Sequence, residues 1–146
     1  MKSRKTAHKN TMRPTIQFIG AVHSSLKKID DCPLQENENA PGAEIEISPA
    51  FIDGIRDLQV GSEILLLTWL HKADRKVIEC VPRNNYDAPM VGVFSTRSPD
   101  RPNPIGIHTA KVLAIDNGSI KVSALEVLDQ TPVIDIKPII KRSSIS

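Results

Sequence analysis

The sequence predicts one small domain of mainly β structure, a closed or partly open β-barrel with one short helix. Eight short segments are rich in β-branched residues or alternate apolar with polar residues, as strands do. The pair Asn117-Gly118 lies between two such segments and favours a tight hairpin, because both residues tolerate a positive φ. Helices do not alternate with the strands along the chain, so a doubly wound α/β fold is not expected.

In chain order, the predicted strands span 15–22, 43–47, 63–71, 76–81, 91–96, 107–116, 119–127 and 133–136. The third is apolar almost throughout, so we place it at the centre of the sheet. The helix is predicted over 49–58, where Ser48 is a suitable N-cap and Pro49 suits the first helical position. The barrel domain is expected over 14–142, after a disordered basic arm over 1–13.

The net charge of +2 hides an uneven distribution. The first thirteen positions hold five basic residues, and all 17 acidic residues follow them. Such an arm suits contact with RNA phosphates, but a solvated terminus has the same composition, so charge alone does not decide. No apolar run is long enough to span a bilayer, and the basic N-terminus has no apolar signal segment. We therefore expect a cytoplasmic protein without membrane association.

Several site types are not supported by the residues. The sequence has no Gly-x-Gly-x-x-Gly, Walker A, His-Glu-x-x-His or Gly-x-Ser-x-Gly pattern. Cys32 and Cys80 are far apart and have no further ligands at metal-site spacing, so no metal is expected. An aromatic content of 3% argues against an RNA-binding sheet that stacks bases on many rings.

The segment 97–106, RSPDRPNPIG, is the best candidate for chemistry. Its prolines each fix φ near about −65° and stiffen the loop. Arg97, Arg101 and Asn103 would then point in set directions at little entropic cost on binding. An arginine fork suits a carboxylate or a phosphate. A proline-rich turn with solvated arginines explains the composition equally well.

Polar residues also interrupt two apolar segments. The run 129–132, Asp-Gln-Thr-Pro, predicts a turn in which Asp129 caps backbone amides. Asp135 lies within a strand pattern, where it either faces water or is held by a partner such as Lys137. His71-Lys72 follows the long apolar strand and is either part of a pocket or simply the place where the strand surfaces.

Two long motifs, GVFSTRSPDRPNPIG over 92–106 and LDQTPVIDIKP over 128–138, occur in this order. Together they resemble the TsaA-like family (TrmO, formerly YaeB) of S-adenosylmethionine-dependent tRNA methyltransferases. Weaker similarity covers nearly the whole chain after residue 15, including IGAVHS, PLQ and WLHKADR.

The resemblance implies a β-barrel that binds S-adenosylmethionine without a Rossmann sheet. It also implies a homodimer with the cofactor near the subunit interface, and methylation of threonylcarbamoyladenosine at its exocyclic nitrogen, beside the tRNA anticodon. Carried over motif by motif, the expected cofactor contacts are Pro33, Leu34, Gln35, His71, Lys72, Arg97, Ile107, Asp129, Gln130, Thr131 and Pro132. The candidate catalytic residues are His71 and Asp135 as bases, and Arg101 and Asn103 as groups that orient the acceptor.

The chain departs from the family pattern at two positions. Leu34 stands where the family has an arginine, and Gln130 stands where the family has a glycine. If that glycine position requires a positive φ, Gln130 should be strained there, or the turn must differ. Longer family members carry a C-terminal extension thought to hold tRNA, whereas this sequence ends at Ser146. Two alternatives stay open: a methyltransferase with a small-molecule acceptor, and a non-catalytic barrel that senses S-adenosylmethionine or binds RNA.

Overall fold

The computed structural model describes residues 13–26, 42–81 and 87–140. The strands are β1 (Gly20–His23), β2 (Ala43–Ile47), β3 (Glu63–Trp69), β4 (Glu79–Cys80), β5 (Val91–Gly92), β6 (Ile105–Asp116), β7 (Ser119–Val122) and β8 (Pro132–Pro138). Within these residues, 3₁₀ helices span Pro49–Ile55 and Val93–Ser95. Every predicted strand overlaps one of these strands. The basic arm, apart from Arg13, lies outside the described residues.

Six of the strands form a closed barrel in the order β1-β2-β7-β6-β3-β8. All neighbouring pairs are antiparallel, and the ring closes where β8 pairs with β1 through Gly20↔Val133 and Ala21↔Pro132. The predicted fold class is therefore confirmed. Closure matters physically because it leaves no exposed sheet edge around most of the ring.

The core lies inside the ring and follows the strand alternation. Ile45, Ile64, Leu66, Val112 and Ile120 are almost completely buried, and each sits between outward-facing neighbours. In β3 the outward residues Leu65, Leu67 and Trp69 are apolar as well, so apolar residues occupy both faces of the strand apart from Glu63 at its start and the buried Thr68. The outer wall beside β3 is therefore unusually apolar for a solvated sheet face.

Some predicted elements end earlier or take another form. Chain segment 91–96 was expected to be a strand, but only Val91–Gly92 pairs, because Thr96 hydrogen-bonds through its N–H and its Oγ1 to Val93 O and winds the chain into a 3₁₀ turn. Strands β4 and β5 form a separate two-stranded sheet. Beyond Val122 the chain leaves the ladder, although Leu125 and Val127 still fill the core.

The predicted helix is a 3₁₀ helix that ends at Ile55, and its cap differs from expectation. Ser48 occupies the N-cap position, but its side chain makes no cap hydrogen bond. Instead, its backbone carbonyl accepts from Phe51 N at 2.9 Å. Pro49 takes the first helical position as predicted.

This helix closes one end of the barrel, which we call the plugged end. Phe51, Ile52 and Ile55 pack against the core, beside the hairpin that joins β6 to β7. Gly118 in that hairpin has φ +84°, and a Cβ there would lie 2.9 Å from Ile52 Cδ1. The positive φ is what favours glycine here, and a Cβ would in addition press on the mobile end of the Ile52 side chain.

Candidate functional site at the open end of the barrel

The predicted site residues gather at the other end of the barrel, which we call the open end. Because β3 runs antiparallel to both β6 and β8, the end of β3 lies beside the beginnings of those strands. The registers Trp69↔Ile105 and Thr68↔Val133 fix this arrangement. The open end therefore brings together the 70–76 turn after β3, the 97–104 loop before β6 and the 129–131 turn before β8.

The 70–76 turn and the 97–104 loop are bonded into one unit, the two-loop platform. Leu70 N donates to Pro104 O at 2.8 Å, and Asp74 N donates to Asp100 Oδ1 at 2.8 Å. Arg75 Nε donates to Pro102 O at 2.7 Å. The proline loop is therefore held from outside as well as by its own restricted φ angles.

Arg101 organises this loop from within. Its guanidinium donates to the backbone carbonyls of Ser98 at 2.8 Å, Val93 at 2.9 Å and Thr96. One side chain thus bonds to three carbonyls of the loop, one of which, Val93 O, also accepts from Thr96. These contacts assign Arg101 a loop-fixing role, and its predicted part in orienting an acceptor stays a prediction.

Beneath the platform lies a buried polar pair that the sequence analysis missed. Thr68 is fully buried and His108 nearly so, and Thr68 Oγ1 lies 2.9 Å from His108 Nε2. Burial, and next the Arg97 guanidinium, lower the pKa of His108 to about 4. The imidazole is therefore neutral at neutral pH. Side-chain alternation along the strand could have revealed this pair, because an outward-facing residue at position 107 places the side chain of His108 inside the barrel.

Gly106 makes room for this pair. A Cβ at Gly106 would lie 2.6 Å from Thr68 Oγ1 and 2.7 Å from His108 Nε2. The glycine of the PNPIG motif is thus explained by the side chains packed against it.

Ile107 points its side chain to the outer wall, where it is 46% exposed. The backbone N–H and C=O of Ile107 face another side of the strand. Lys111 exchanges hydrogen bonds with Ser123, and Ile105 N donates to Asn103 O, and neither of these partners lies on β3. Alternate residues of a strand direct their backbone groups to the same side, so the N–H and C=O of Ile107 also face away from β3. Strand β7 pairs with β6 only from Val112 onward. Around Ile107 the described barrel strands leave this edge uncovered.

The 129–131 turn joins β8 to the end of β1. Asp129 Oδ1 accepts from Ser24 N at 2.9 Å, as expected of a capping aspartate, and Gln130 N donates to Val22 O at 2.6 Å. Gln130 has φ +68°, so the position does require the left-handed conformation. Thr131 is buried, and its Oγ1 donates to Leu128 O at 2.7 Å. Pro132 begins β8.

An open groove of about 620 Å³, lined by both polar and apolar residues, lies beside this turn. Its walls include His23, Glu44, Lys121, Asp129 and Gln130. Gln130 Nε2 lies 3.0 Å from His23 Nδ1, and His23 Nε2 lies 2.7 Å from Glu46 Oε1. Because a carboxylate oxygen only accepts, His23 Nε2 donates to Glu46.

The two predicted bases lie in different places. His71 is exposed on the platform, and partial burial, then the charge of Lys72, lower the pKa of its imidazole. Asp135 lies on β8 opposite Leu67, and its carboxylate is paired with Lys137 at 3.1 Å. Of the two, His71 stands among the other predicted site residues. Pro33, Leu34 and Gln35 lie outside the described residues.

Residues 21–144 match the family described as the tRNA-methyltransferase O N-terminal domain. This chain belongs to that family. The predicted family assignment is thereby confirmed, and the motifs that carried it are the ones that form the two-loop platform and the 129–131 turn. Within the described residues, no helix is both long enough and apolar enough to cross a membrane.

Comparison with individual proteins agrees with this family assignment. The chain is 41% identical, over 84% of its length, to a probable S-adenosyl-L-methionine-binding protein of Archaeoglobus fulgidus, but spans only 33% of that protein. It is 40% identical to one from Methanothermobacter thermautotrophicus, covering 87% of this chain and 90% of the relative. A crystal structure of TrmO from Pseudomonas aeruginosa superposes with a TM-score of 0.70 at 28% identity, covering 93% of this chain and 64% of that one.

Proposed function

We propose that this chain is an S-adenosylmethionine-dependent methyltransferase that acts on threonylcarbamoyladenosine in the tRNA anticodon loop. The observation that carries the proposal is the convergence of the two-loop platform and the 129–131 turn at one end of the barrel. Those segments contain most of the residues expected to contact the cofactor, and the residues are separated by up to about sixty positions in the chain.

The charges at the open end fit this cofactor, which carries a carboxylate, an ammonium group and a sulfonium. Arg97 and Lys72 are exposed cations on the platform, whereas Glu44 and Asp129 line the groove together with Lys121. A ligand that carries positive and negative charges is bound best where both cationic and anionic side chains are present. The uncovered backbone edge at Ile107 suits an adenine ring, since N–H and C=O groups on an extended strand can pair with its edge.

In the proposed mechanism the platform binds and orients. When bound, S-adenosylmethionine would supply an activated methyl group for the acceptor nitrogen. Arg97 would hold the cofactor's carboxylate through its guanidinium fork. His71, whose pKa is lowered by partial burial and by the charge of Lys72, is the group proposed to accept the proton that leaves the acceptor N–H. Asn103 orients the acceptor, and the rigid loop limits the entropy lost on binding.

The decisive experiment is methyl transfer from labelled S-adenosylmethionine to two tRNA samples, one with and one without the threonylcarbamoyl group. We expect methylation of the first sample only. Equal labelling of both would reject the modified base as substrate. Saturable calorimetric binding of S-adenosylmethionine with no transfer to any tRNA would leave a sensor or a small-molecule methyltransferase.

We further propose a homodimer that works in the cytoplasm, with the barrel domain spanning 14–142. The apolar outer wall supports the dimer: Ile105 and Ile107 are 40% and 46% exposed, and they lie beside Trp69 and Leu67 in the register. Light scattering should give twice the chain mass for the wild type and the monomer mass for Ile105→Lys. A monomeric wild type would remove the dimer from the proposal.

A further inference from the structure

Arg75 belongs to the 70–76 turn of the two-loop platform. Its side chain contacts both the 97–104 loop and the end of strand β3. Its Nε donates to Pro102 O at 2.7 Å, and its Nη2 donates to Asn103 Oδ1 at 3.3 Å. Its guanidinium carbon also lies 5.0 Å from the centre of the Trp69 ring, at the end of β3. This cation–π contact with the end of β3 restricts the position of the guanidinium group that bonds to the 97–104 loop.

The contact with Asn103 fixes the direction of that amide. An arginine has only donors, so the Asn103 atom that faces it must be the carbonyl oxygen. This conclusion is independent of how an amide is assigned, because the opposite orientation would set two donors against each other. The NH₂ group of Asn103 is therefore turned away from Arg75, and the residue is exposed. Backbone bonding from Ile105 N to Asn103 O at 2.8 Å holds the main chain in the same place.

We propose that Arg75 is a positioning residue that holds Asn103 as an outward hydrogen-bond donor, so that the platform receives its substrate through a carbonyl or carboxylate oxygen. The identity of that substrate rests on the proposed function, whereas the holding of Asn103 does not. A threonylcarbamoyl group offers both kinds of oxygen. An unmodified adenine edge does not, which gives the platform a chemical basis for selecting the modified base.

The test combines four variants in one assay of methyl transfer to modified tRNA. Arg75→Ala and Asn103→Ala should each lower kcat/KM for tRNA about tenfold, and the double variant should be no worse than either, because both remove the same donor. Asn103→Asp keeps a partner for Arg75 but replaces the donor with an acceptor, so it should lose as much activity as Asn103→Ala. S-adenosylmethionine affinity should change less than about twofold in all four.

A second readout does not depend on activity. Arg75→Ala should raise the amide exchange rate of Ile105 about tenfold or more, since that N–H bonds to the loop that Arg75 holds. Asn103→Asp should leave the rate unchanged. Arg56→Ala is the matched control: Arg56 is an exposed arginine that contacts Asp57 just beyond the plugging helix, and its loss should alter neither readout.

The outcomes separate the two proposals. Additive losses in the double variant, or full activity of Asn103→Asp, would overturn the donor role. Unchanged exchange at Ile105 in Arg75→Ala would overturn the positioning role. If the wild type does not methylate any tRNA, the proposed function fails, and the exchange data alone decide whether Arg75 positions the loop.

Discussion

The two ends of the barrel are closed by different chemistry. The plugged end is sealed by the apolar face of the 3₁₀ helix Pro49–Ile55. The open end holds all four of the buried polar side chains found in the described residues: Ser24, Thr68, His108 and Thr131. It also holds the Gln130 backbone at φ +68°. The open end therefore accepts buried polar groups that a purely structural end would not need, whereas each end has one non-glycine residue at a positive φ, Asn117 (φ +37°) being the one beside the plugged end.

The largest expected effect tests the plugged end. Ile55→Ala should lower the free energy of unfolding by about 3 kcal/mol, because it removes apolar contacts and leaves a cavity under the helix. Urea denaturation measures this loss. S-adenosylmethionine affinity, measured well below the unfolding transition, should be unchanged. The control is Val60→Ala, since Val60 is 62% exposed and its truncation should cost less than about 0.5 kcal/mol.

Acid should act on the open end through His108. Its pKa is lowered from 6.5 to about 4 in the folded protein, so the unfolded chain binds the proton more tightly. The stabilisation is complete above about pH 6.5 and is lost as pH falls toward 4, amounting to roughly 3 kcal/mol. His108→Gln should flatten the dependence of unfolding free energy on pH in this window. An unchanged slope would mean that His108 is not buried as a neutral group.

Arg97→Ala should weaken S-adenosylmethionine binding about tenfold or more, the usual scale for a charge-assisted contact. Stability should change by less than about 0.5 kcal/mol, because Arg97 is exposed. Its removal should also raise the pKa of His108, which NMR titration of the imidazole would detect. If affinity is kept while the His108 pKa moves, Arg97 lies near the barrel interior but not in the cofactor site.

The smallest effect concerns the strained turn. Gln130→Gly should be more stable than Gln130→Ala by about 1 kcal/mol, the reverse of the usual order, because only glycine adopts a positive φ without strain. Both variants lose the side-chain contact with His23, so their difference isolates the backbone. An alanine variant that is equal to or more stable than the glycine variant would show that the turn relaxes in solution.

The platform was only partly predictable from sequence. The prolines and the arginines of the 97–104 loop indicated a rigid binding loop, and the family motifs supplied the expected contacts. The sequence could not show that Arg101 bonds inward to three carbonyls, or that Arg75, from another segment, bonds to Asn103. Long polar side chains bond to groups that are close in space, and a local sequence pattern does not show which groups those are.

The sequence by itself determined the strands and the hairpin at Asn117-Gly118, because side-chain alternation and φ preferences are local properties. The positive φ at Gln130 was anticipated only through the glycine that the family pattern has at this position. Strand ends differed where chain segments found other partners, as Thr96 did with Val93. Only the tertiary structure decided that His108 pairs with Thr68 beneath Gly106, and that three distant segments meet at one end. Those outcomes follow from ring closure and strand register, which depend on contacts between residues far apart in the chain.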